Sequence, residues 1–140
     1  MKSKLRKIVV DDIDYRYYIS FNEYGYRGGD MVVKIFLNGK KSTPLILHFL
    51  TFTDPIKGHP LNTGFDLFNR LTGSKVTVNI HEPKYIRELI LEGLERGWTG
   101  TNRIDKQNGI DYLTKWGFDT SSLSPINHME LYFRPTGHIS

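Results

Sequence analysis

The chain of 140 residues contains no cysteine. Disulfides, thiolate metal sites and a cysteine nucleophile are therefore excluded, and stability has to come from packing and hydrogen bonds. Long apolar runs are missing as well: no segment approaches the roughly 20 residues that cross a bilayer. The N-terminal "MKSKLRKIVVDDIDYRYY" begins basic, but its apolar run ends at Asp11 and Asp12, too soon for a signal-peptide core. These absences predict a soluble cytoplasmic protein with no membrane partner. The five histidines, at 48, 59, 81, 128 and 138, show no short metal-ligand spacing, so neither a metal nor another cofactor is expected. Gly-x-Ser-x-Gly is absent too, and with it the usual setting of a serine nucleophile.

Three apparent motifs fail on inspection. "NGKKST" resembles the end of a phosphate-binding P-loop, but the first glycine of that motif would fall at Lys34 and no helical pattern follows. In "HEPKY", Tyr85 stands where a helical zinc site needs its second histidine. "GYRGGD" does not have dinucleotide-binding spacing and lies between strands, which suits a flexible connection.

What the chain does have is 39% hydrophobic and 13% aromatic residues, enough to build one core, and a length that suits one domain over residues 1–140. Residues 1–5 and 135–140 are expected to be flexible tails. The net charge of +4 permits attraction to phosphate, but many of the cations cluster near the N-terminus and over residues 34–41, where they also serve as tail and turn solvation.

The first half reads with a period of two. "KIVVDDIDYRYYISF" predicts a hairpin about Asp11 and Asp12, and "DMVVKIFLNGKKSTPLILHFLTF" a second about Asn38 and Gly39. "FDLFN" and "KVTVNIH" bracket a turn at Gly73, giving about five or six antiparallel strands. The period then changes. In "EPKYIRELILEGLERGW", Tyr85, Ile86, Leu89, Ile90, Gly93 and Leu94 form one apolar stripe, Pro83 suits the first turn and Gly97 the stop. Glu92 and Arg96 are read as part of its solvated face. A second helix is expected through "NRIDKQNGIDYLTKWGF", capped by Asn102, and a final edge strand through "NHMELYFRP". Strands first and helices later predict an α+β domain, an antiparallel sheet packed by two helices of the C-terminal half. In "PLILHFLTF" both alternating sets are largely apolar, so that strand is expected to be covered on both faces.

Three places could carry function. The first is the loop "DPIKGHPLNTGFD", where Asp54, His59, Asn62, Thr63 and Asp66 supply acids, a base and hydrogen-bonding groups. The same residue types are ordinary turn formers, and Pro60, Leu61 and Phe65 could cover a sheet face. The second is a set of outward strand positions, Arg16, Tyr18, Lys34 and Phe36, where aromatics could stack bases and cations meet phosphates, although Tyr and Phe favour sheets in any case. The third is "GWTGTNRID": Trp98 and Arg103 could anchor a partner, while a Trp at a helix end more often packs over the core.

The runs "GHPLNTG" and "VNIHEPKYIRELILEGLERGWTGTN" together resemble small hypothetical proteins of bacteria that share a hairpin start and a Tyr-Ile-Arg-Glu-Leu-Ile helix. The resemblance implies a bacterial cytoplasmic protein and supplies no catalytic residue. With no catalytic constellation in view, the expected function is non-enzymatic binding of another protein or of a second copy, with bacterial immunity proteins, often small single α+β domains, as one such manner of action. A basic chain does not complement a basic nuclease, so that toxin class is not expected as its target. The alternatives are a nucleic-acid-binding sheet face and an enzyme centred on residues 54–66.

Overall fold

The computed structural model describes residues 4–24 and 28–125. The segment expected to form the final strand, and most of the two expected tails, lie outside the described residues. The architecture is α+β. A five-stranded sheet runs in the order β1 (Arg6–Val10), β2 (Ile13–Glu23), β3 (Gly29–Leu37), β4 (Leu45–Thr51) and β7 (Gln107–Asn108), with β5 (Phe65–Asn69) and β6 (Ser74–Val78) as a separate hairpin. β1 to β4 are antiparallel neighbours, whereas β7 joins β4 in parallel through Leu47 and His48. The expected α+β fold, N-terminal strands packed by helices of the C-terminal half, is present; in detail the five-stranded sheet is mixed, because β7 runs parallel to β4, and β5 and β6 stand apart as a two-stranded ribbon.

Alternation divides the main sheet cleanly. Tyr17 and Ile19 stand beside Ile35 and Val33, and Ile35, Val33 and Met31 stand beside Leu45, Leu47 and Phe49; these eight and Tyr15, opposite Leu37, are all buried in one core cluster. Helix α2 (Pro83–Glu95) presses on this inner face so closely that a Cβ on Gly93 would lie 2.5 Å from Leu45. Helix α3 (Gly109–Lys115) does the same over Phe49, where a Cβ on Gly109 would lie 2.4 Å from the ring. Two buried glycines therefore set the approach of the helix layer to the sheet.

The first hairpin turns on Asp11 and Asp12, both in left-handed conformation (φ 51° and 65°), as a two-residue turn demands. The second connection is longer than expected: it covers residues 38–44, and of the Asn38-Gly39 pair only Gly39 has positive φ, at 88°. Gly97 (φ 110°) ends α2, with the Trp98 amide donating to Gly93 and the Gly97 amide to Leu94.

Two helix expectations need correction. The second helix does not begin at Asn102. That side chain instead clamps the preceding turn, accepting from the Thr99 amide at 2.8 Å and donating to the Gly97 carbonyl at 2.8 Å. The helix begins after Asn108, whose side chain accepts from the Ile110 amide. Glu92 is not solvated either. It is buried against α3, where Arg96 (2.9 Å) and Lys115 (2.7 Å) both donate to Oε2. Burial alone would raise its pKa, but Lys115 and Arg96 hold it below the ordinary glutamate value.

Candidate functional site

The five candidates in residues 54–66 do not converge. Asp54 accepts from the amides of Ile56 (2.8 Å) and Lys57 (2.9 Å), and those two bonds hold its carboxyl below the usual range. His59 is buried, caps the four-residue helix α1 (Pro60–Thr63) and points into the protein. Its Nε2 lies 2.9 Å from the Phe49 carbonyl and 3.0 Å from Thr51 Oγ1, while Nδ1 accepts from the Leu61 amide. A carbonyl can only accept, so Nε2 carries the hydrogen and Nδ1 the lone pair, which is the neutral imidazole. Burial pushes its pKa below the ordinary value, partly offset by the Phe49 carbonyl. Asp66 accepts from Thr77 across the β5–β6 ribbon, Thr63 is exposed and Asn62 half-buried. Pro60 and Leu61 are buried and Phe65 packs against the core, so the loop covers the same inner face as the helices.

Trp98 also faces inward. It is 1% exposed, its ring centroid lies 5.9 Å from that of Tyr15, and Nε1 donates to the Thr43 carbonyl at 3.0 Å. Arg103 is exposed.

The outer sheet face is different. Strand register places Arg16 beside Phe36, and Tyr18 beside Lys34, which in turn stands beside Ile46. Val32 and His48 form the next row and Asp30 and Leu50 the one after. None of the apolar members, Tyr18, Val32, Phe36, Ile46 or Leu50, belongs to the core cluster or packs against it. β4 was expected to be covered on both faces; on this side Leu50 is 45% exposed and Ile46 half-buried.

All four sheet-face candidates therefore share a face, but their groups are largely engaged. Arg16 makes two hydrogen bonds to Asp14 (3.0 and 3.1 Å), which hold the Asp14 carboxyl below its usual range. Lys34 sits 5.8 Å from the centre of the Tyr18 ring, and Phe36 is 4% exposed, too little for a base to stack on it.

The same face holds a pair that periodicity alone does not reveal. His48 and Asp30 meet diagonally across β3 and β4, and His48 Nδ1 donates to Asp30 Oδ2 at 2.6 Å. Asp30 is 6% exposed. Its Oδ1 and His48 Nε2 are both buried with no hydrogen-bond partner among the described residues. An orphaned acceptor and an orphaned ring nitrogen on one face are costly unless something else satisfies them. Alternation could have placed both residues outward, but their meeting depends on register between strands 18 residues apart.

Among the described residues no three His, Asp or Glu side chains group to hold a metal ion, and no helix is long and apolar enough to cross a membrane. No family model matches the chain, and no curated protein or solved structure matches it. What the geometry defines is an α+β protein whose sheet has one face buried under helices and one face of mixed character.

Proposed function

We propose that the chain is a non-catalytic binding protein that engages another protein through the outer face of its five-stranded sheet. The observation that carries this reading is the outer face itself. Tyr18, Val32, Ile46 and Leu50 lie outside the core, on the same face as the Asp30–His48 pair. Apolar surface set around a few convergent polar groups is the composition of a recognition surface. The partner that fits presents apolar side chains to this face. Protein is favoured over nucleic acid because the Arg16 fork is taken by Asp14 and the Phe36 ring is buried. Asp54 spends its carboxylate on a turn, His59 its ring on β4 and the α1 cap, and Asp66 its carboxylate on Thr77, which leaves the enzyme reading without a constellation.

A photo-crosslinking residue in place of Ile46 tests the reading in the source cell, with the same residue in place of the 94% exposed Ile56 as control. The expected result is a discrete protein adduct at 46 that survives nuclease treatment and is missing at 56. An adduct that nuclease removes would transfer the face to nucleic acid, and no adduct at 46 would contradict the reading.

A further inference from the structure

The edge of the sheet offers a separate surface. β1 stands at the end of the strand order and pairs with β2 alone among the described residues. Such an edge carries a row of backbone N–H and C=O groups suited to a further strand. α2 contacts β1, whose Val10 is buried, and the strand partner on that side of the sheet is β2. Around the edge, Leu5, Val9 and Ile13 are 47%, 51% and 43% exposed.

The charges along this segment are sorted. Lys4, Arg6 and Lys7 lie at its start, and Asp11 and Asp12 at its end. A parallel copy would set cation on cation and carboxylate on carboxylate, whereas an antiparallel copy sets each basic start against an acidic end. Antiparallel is also the arrangement that a two-fold axis imposes on a strand pairing with itself. With the axis at Val9, Ile8 meets Val10 on one sheet face, and Arg6 and Lys7 come against the partner's turn that carries Asp11 and Asp12. The present partners of these charges are loose and exposed, Lys7 with Asp14 at 3.9 Å and Arg87 of α2 with Asp11 at 3.9 Å, so they are free to exchange.

We infer that the chain forms a two-fold homodimer through antiparallel β1–β1 pairing. The two sheets continue as one, with both helix layers on the same side and both outer faces on the other. The inference does not depend on what the outer face binds: its failure would leave the crosslink at 46 unchanged.

Light scattering and sedimentation of the full chain over a concentration series test it, with amide exchange read along β1. The expected result is a concentration-dependent dimer that weakens as salt rises, with slowed exchange at the outward amides of β1. Val9→Lys, which sets two ammonium groups on the axis, is expected to abolish the dimer while circular dichroism stays unchanged. Arg6→Asp/Lys7→Asp is expected to be monomeric alone and to dimerise when mixed with Asp11→Asn/Asp12→Asn, a change that the left-handed turn tolerates. A monomer at all concentrations would overturn the inference, whether its β1 edge exchanges freely or is protected by another segment of the same chain. A dimer that survives Val9→Lys and the charge reversal would overturn it too, by placing the interface elsewhere.

Discussion

Truncation of Trp98 to alanine is expected to lower the unfolding free energy by about 3–5 kcal/mol, the range for removing a large buried aromatic. Two losses combine. The indole leaves a void beside Tyr15, and the Thr43 carbonyl loses the Nε1 donor that satisfies it. The turn around it would not compensate, since Asn102 and Gly100 hold its backbone independently: Thr43 Oγ1 donates to the Gly100 carbonyl at 2.6 Å, and Asn102 ties Thr99 to Gly97. Urea denaturation followed by fluorescence of the remaining tryptophan, Trp116, measures the loss. Arg103→Ala, at an exposed position of the neighbouring segment, is expected to stay within about 0.5 kcal/mol. A Trp98→Ala protein of unchanged stability would mean that the side chain is a surface anchor after all.

Replacing His59 by alanine is expected to cost about 2–4 kcal/mol, because it leaves the Leu61 amide and the Phe49 carbonyl without their partner in a buried place. The same residue gives stability a pH dependence of known sign. Burial sets its folded pKa below the ordinary 6.5 of the unfolded chain. The unfolded chain therefore takes up the proton first as pH falls. The contribution of neutral His59 is complete above about pH 6.5 and is lost as pH falls from there through the folded pKa. Denaturation curves between neutral and mildly acid pH should show this loss in the wild type and a shallower one in His59→Ala. Equal slopes would contradict the neutral, Nε2-protonated assignment.

These two residues also mark the limit of what the sequence makes legible. Local patterns were sufficient for the first hairpin, where two aspartates take left-handed conformations, and for α2, where the apolar stripe, Pro83 and Gly97 agree. They misplaced the second helix, because Asn102 and Asn108 are both good caps and only packing of Gly109 onto Phe49 decides between them. Glu92 reads as surface at helical spacing, and becomes buried because Lys115 arrives from 23 residues away. At the candidate sites, alternation correctly gathered Arg16, Tyr18, Lys34 and Phe36 on one face. It could not show that Phe36 is buried there, or that His48 and Asp30 meet beside them. Side-chain chemistry made residues 54–66 look reactive, yet a buried cap, an Asx turn and a cross-strand hydrogen bond use the same residue types.

Recognition through the outer sheet face is tested most directly by partner retention from the source cell, comparing three forms of the full chain with equal melting temperatures. These are the wild type, a face variant Tyr18→Ala/Ile46→Glu and a loop variant Asn62→Ala/Thr63→Ala. The prediction is a protein partner held by the wild type and the loop variant and lost from the face variant. A partner lost from the loop variant and kept by the face variant would contradict it.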